Sequence, residues 1–88
     1  MEEKIIDCGT VRTKEDLHRL FREKLDFPDW YGNNLDALYD CLTDFSGKIR
    51  LLNWDAAEEN LGSYGIRAKQ VITAAALRNT ALDLYMNI

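Results

Sequence analysis

An α/β fold built on a three-stranded parallel sheet is what this sequence predicts, on three observations. Short segments rich in β-branched and apolar residues, at 4–8, 48–52 and 81–88, alternate with stretches of helical periodicity. Strands joined through helices run parallel, with right-handed crossovers. A length of 88 residues and a hydrophobic share of 47% suit a single domain, 1–88, with one modest core. The expected architecture is three main helices and one short helix packed on the sheet.

Each element has a local reason. Residues 4–8 hold the β-branched pair Ile5-Ile6 and open the chain as a strand. Thr13 is placed to cap a helix whose first turn carries Glu15 and Asp16. Leu17, Leu20, Phe21 and Leu25 then share one face, and His18, beside that stripe, reads as a partly exposed surface histidine. The stretch 26–32 holds the only Pro and the pair Trp30-Tyr31. One of these aromatics belongs in the core and the other on the surface, and Gly32 is expected to supply a positive-φ turn. Asn33 or Asn34 can cap a second helix running to about Leu42, with Leu35, Leu38 and Leu42 facing inwards. Gly47 breaks the chain before the strand at 48–52. Asp55 is expected to cap a short helix through Glu59, and 61–65 to form a loop. A third long helix is expected over 66–79, with Val71, Ile72, Ala75 and Leu77 on its buried side.

Composition narrows the function. A net charge of −4 speaks against nucleic acid as a direct partner, because phosphate binding needs clustered Lys and Arg. No apolar run is long enough to span a membrane, and the N-terminal residues lack the pattern of a secretory signal, so a cytoplasmic protein is expected. Cys8 and Cys41 form no CxxC pair, and one His cannot complete a zinc set with them, so neither a metal nor a cofactor is expected. Both cysteines read as small buried apolar residues.

The acids are unevenly placed. Between residues 27 and 47 there is no Lys or Arg, whereas Asp29, Asp36, Asp40 and Asp44 all fall inside. With Leu35, Leu38 and Leu42 inward, Asp36 and Asp40 lie one turn apart on a flank away from the core, and Asp44 continues the row if the helix persists. Like charges at that spacing cost an isolated helix about 0.2–0.5 kcal/mol. Asp36 in the first turn is favoured by the helix dipole; Asp40 in mid-helix and Asp44 near the end are not. A solvated acidic face is the plain reading of such a pattern. Rules broken without local compensation favour a binding role, and aromatics beside an acidic helix suit an interface. Two carboxylates alone could also suggest acid–base chemistry or a Mg²⁺ site, but no further ligand, nucleophile or base lies near them in sequence.

The run YGNNLDALYDCL, residues 31–42, resembles the signature of the barstar family, small inhibitors of extracellular ribonucleases. The likeness extends more weakly over the chain, through Asp16-Leu17-His18, Pro28, Leu52-Asn53-Trp54 and the last strand. It implies a non-enzymatic domain of three parallel strands and helices, whose inhibitory surface is the loop and second helix. Position by position, it implies partner contacts at Trp30, Gly32, Asn34, Asp36, Tyr39, Asp40, Asp44 and Phe45. Asp36 and Asp40 match the carboxylates that enter the nuclease site, and Tyr39 and Phe45 stand where the founding member has Trp. Departures are an absence of Asp and Glu over 66–82, different residues at Asn33 and Asp44, a missing cysteine near Ala81, and a new one at Cys8. The implied partner is a secreted or toxin ribonuclease, bound by a monomer. The alternative is an acidic binding module for a basic protein that is not a nuclease.

Overall fold

The computed structural model describes residues 3–86. Strands β1 (Glu3–Asp7), β2 (Gly47–Leu52) and β3 (Leu82–Met86) form one parallel sheet in the order β1-β2-β3, as the sequence predicts. Ile5 pairs with Arg50, and Arg50 with Tyr85, across the central strand. Along β2 the residues Gly47, Ile49 and Leu51 are buried while Lys48, Arg50 and Leu52 are half-buried, so the two faces of the sheet differ. The more open face is polar: Arg50 meets Glu3 at 3.2 Å and lies 5.0 Å from the Tyr85 ring centroid.

After β1, Asp7 accepts a hydrogen bond from the Gly9 N–H at 2.9 Å and turns the chain into a short 3₁₀ segment, Cys8–Thr10. The first strand therefore ends before Cys8. Cys8 is wholly buried, and burial pushes its thiol up to about 12; Cys41 is only half-buried, short of the expectation for it.

Helix α1 (Lys14–Leu25) begins with the Thr13 cap. Thr13 Oγ1 accepts from the Asp16 N–H at 3.1 Å, and Asp16 accepts from the Thr13 N–H at 3.2 Å, a reciprocal capping box. Its buried side is Leu17, Phe21 and Leu25, joined by His18, which is 1% exposed and not at the surface. The correction has a physical cause. His18 Nδ1 lies 2.6 Å from the Tyr31 hydroxyl, and Nε2 lies 2.6 Å from the Tyr64 hydroxyl. A neutral imidazole donates through one nitrogen and accepts at the other, so both ring atoms are satisfied and the ring can be buried at little cost. Burial also holds its pKa below the ordinary histidine value.

Helix α2 (Leu35–Thr43) follows, then β2, α3 (Trp54–Leu61) and α4 (Ser63–Arg78). Asp55 does not cap α3; it lies in the first turn, and Asn53, left-handed at φ 58, precedes the helix. The Asn53 side chain instead donates to Asp7 at 2.8 Å, tying the ends of β2 and β1. The expected loop at 61–65 shrinks to Gly62, whose φ of 62 and ψ of −130 suit glycine and separate α3 from α4. On α4 the buried residues are Gly65, Ala68, Ile72 and Ala75, with Val71 half-buried, whereas Leu77 is 86% exposed. At about 100° per residue, Leu77 is rotated roughly 200° from Ala75 and cannot share its face.

Candidate functional site

The stretch before α2 is held from both sides. Asp26, left-handed at φ 56, ends α1, and the Phe27 N–H donates to the Arg22 carbonyl at 3.0 Å. Phe27 and Tyr31 are both buried, with ring centroids 5.0 Å apart, and Tyr31 is fixed further by His18. The chain thereby lifts Trp30, which is 77% exposed. One aromatic in the core and one outside is the expected division.

Asn34 is the residue that caps α2. Its Oδ1 accepts from the Ala37 N–H at 2.8 Å, and its Nδ2 donates to the Gly32 carbonyl at 3.2 Å. Both ends of this amide are therefore occupied inside the fold. Gly32 does not have positive φ; the left-handed residue is Asn33, at φ 54. Asparagine tolerates that region. Gly32 answers a different need, because a Cβ there would approach Asn34 Nδ2 to 3.1 Å and crowd the cap.

Along α2, Leu38 and Leu42 are buried and Leu35 is half-buried, which turns Asp36 and Asp40 to the outside. Both are exposed, and neither carboxylate accepts a hydrogen bond or meets a cation among the described residues. One helical turn separates them, so they project from the same flank. Tyr39 is half-buried and, with Asp36 and Asp40, borders a groove of about 770 Å³ whose other wall is α4, at Arg67, Gln70, Val71 and Ala74. The helix stops at Thr43. Asp44 is its C-cap, still near helical at φ −97 and ψ −6, and exposed, while Phe45 packs partly onto the core. Thus Trp30, Asp36, Asp40 and Asp44 are exposed side chains, Tyr39 and Phe45 are half-exposed, and Gly32 and Asn34 set the backbone.

Three supporting groups escape a reading of the sequence. Tyr64 reaches His18 from 46 positions away. Asn79 donates to the carbonyls of Leu42 at 2.9 Å and Phe45 at 2.7 Å, fixing the end of α2 that carries Asp44. Arg67 faces the acidic flank from α4. None has a local pattern to announce it; only the lack of acids in α4 hints that its solvent face differs in charge from α2.

Comparison with known proteins gives the chain a family. Residues 1–87 fit the family model described as "Barstar (barnase inhibitor)". A Bacillus subtilis (strain 168) protein named "Putative ribonuclease inhibitor YrdF" is 44% identical over 78 residues, which cover 85% of this chain and 86% of the relative. The parallel sheet, the helix order and the loop-plus-α2 surface accompany a match over nearly the whole length: the chain belongs to the barstar family.

Proposed function

We propose that the protein is a ribonuclease inhibitor that works by occlusion, seating Trp30 and the outer flank of α2 in the basic active-site cleft of its partner. The observation that carries this reading is the pair Asp36 and Asp40, exposed, one turn apart and without a partner in their own fold among the described residues. A cleft that holds a phosphodiester presents Arg, Lys and a protonated His. Two carboxylates on a rigid helix can take the phosphate positions and accept charge-assisted hydrogen bonds from those groups. Asp40 is the deeper anchor, because the helix terminus already favours Asp36 whereas nothing local favours Asp40. Trp30 and Tyr39 cover the rim and exclude water, Asp44 and Phe45 border the far end, and Gly32 lets the partner's backbone come close. Asn34 acts by holding the first turn, its amide being used within the cap.

The names carried by the family and by the Bacillus relative support a ribonuclease as the partner. In this reading the protein is a monomer with no catalysis of its own, and it meets a secreted or toxin ribonuclease in the cytoplasm. Opposite charges make association fast and salt-sensitive.

The test is inhibition of barnase-type ribonucleases by the wild type, Asp36→Ala and Asp40→Ala. Asp40→Ala is expected to weaken inhibition by about 100-fold or more. That is the scale of desolvated charge pairs in the barnase–barstar complex itself. An inhibition constant that stays within about threefold of wild type would remove the anchor. Recovery of a basic protein without nuclease activity on an affinity column would favour the binding-module alternative.

A further inference from the structure

The acidic flank of α2 is bordered by a cationic one. On the other side of Asp36 from Asp40 opens a second hollow, of about 570 Å³, walled by Lys14, Arg19, Arg22 and Arg67 against the carboxylates of Glu15 and Asp36. Asp36 and Arg67 line both hollows, so a partner that covers Asp36 and Asp40 also lies over Arg67. Arg19 is engaged by Asp16 at 2.6 Å. Lys14, Arg22 and Arg67 have no carboxylate partner among the described residues.

Two of these cations, Lys14 and Arg67, are held in place. Lys14 Nζ lies 5.9 Å and the Arg67 guanidinium 5.5 Å from the centroid of the Tyr64 ring. The Tyr64 hydroxyl is bonded to the buried His18 ring. Such stacking pre-orients the charges. Lys14 is the first residue of α1, where a cation opposes the dipole. Lys14, Arg22 and Arg67 side by side, with no carboxylate partner among the described residues, leave a positive patch open to a partner of opposite charge.

We infer that Arg67, supported by Lys14 and Arg22, selects the partner: it receives an Asp or Glu side chain that the ribonuclease carries beside its basic cleft. The inference rests on the inhibitor reading above. Both signs of charge on one docking face demand both signs on the partner. A cleft rim that is basic throughout meets repulsion at Arg67 even while it attracts Asp36 and Asp40. The hollow has ample room for one acidic side chain. A polyanion such as RNA suits the cations but is opposed by the neighbouring aspartates and by the net charge of −4.

Barnase serves as the probe, together with barnase variants in which single Lys or Arg residues around the cleft are changed to Glu. Wild type, Arg67→Glu and Asp40→Ala are titrated against each. At least one acidic barnase variant is expected to bind wild type about three- to fivefold more tightly than unmodified barnase does, with the preference reversed in Arg67→Glu. If wild type leaves barnase uninhibited, Arg67→Glu combined with Lys14→Glu is expected to restore inhibition. Identical ranking of every barnase variant by wild type and Arg67→Glu, with inhibition still lost in Asp40→Ala, overturns the selectivity role and leaves the inhibitor reading intact. Unchanged inhibition by Asp40→Ala instead removes the carboxylate anchor of the inhibitor reading, and with it the docking pose on which this inference rests. A failed rescue by the double variant also overturns the inference, as does a saturable NMR response to inorganic phosphate at Arg67 with the barnase ranking unmoved.

Discussion

The two ends of α2 are fixed in opposite ways. At the N-terminal end the cap is local: Asn34 bonds to Ala37 three residues ahead and to Gly32 two residues behind. At the C-terminal end the Phe45 carbonyl, and the Leu42 carbonyl that also accepts from the Phe45 N–H at 3.3 Å, are bonded by Asn79, which comes from beyond β2, α3 and α4. The segment leading into α2 combines the two, since Tyr31 is anchored to His18 across 13 positions and through it to Tyr64. A helix of nine residues is too short to persist by propensity alone, so its geometry depends on these attachments. The Asp36 end is thus set by contacts two or three residues away, and the Asp44 end by a side chain more than thirty residues away.

The sharpest way to break this comparison is His18→Ala, which deprives the Tyr31 and Tyr64 hydroxyls of their shared partner and opens a gap in the core. We expect a loss of about 2–3 kcal/mol, read as the shift in a chemical denaturation midpoint, with weaker protection of the amides of residues 30–34. Asn79→Ala comes next. The Phe45 carbonyl loses its Asn79 donor while the Leu42 carbonyl keeps the Phe45 N–H, for about 1–2 kcal/mol, and hydrogen exchange should rise at Asp44 and Phe45 more than at Asp36. Asn34→Ala should cost about 1 kcal/mol and show the reverse exchange pattern, fraying the first turn. If both Asn variants loosen the helix uniformly, the two ends are not independent.

The smallest effect is one of pH. Burial lowers the His18 pKa in the folded protein below its unfolded value near 6.5. Below that value the unfolded chain binds a proton that the native ring resists, so stability is fully present above about 6.5 and declines as pH falls through the window beneath it. His18 is the only histidine. Denaturation midpoints at pH 8 and pH 5 should therefore differ more for wild type than for His18→Gln, and equal differences would remove the buried ring as the cause.

Much of the site was legible because its signals are short-range. The Thr13 cap, the helical repeat of Leu35, Leu38 and Leu42, and the outward placing of Asp36 and Asp40 all follow from spacing along one helix. Even the split between Trp30 and Tyr31 follows from their adjacency. Errors arose where a distant partner or an unusual dihedral decided the outcome. His18 looked like a surface residue because the two hydroxyls that make its burial tolerable are far away in sequence. Gly32 drew a turn role that Asn33 takes, because position alone does not say which residue adopts positive φ. The early start of α4 was hidden by a single permissive glycine, Gly62, in what read as a loop of five.

A three-stranded parallel α/β domain and an acidic helix flank can be read directly from the residues, because strand patterning and helical periodicity are local properties of the chain. Tertiary structure alone decided that His18 joins two tyrosines, that Asn79 closes the end of α2, and that Arg67 and Lys14 stand beside Asp36. Those contacts join residues up to 46 positions apart, and they exist only once the sheet has brought α1, α2 and α4 to one side.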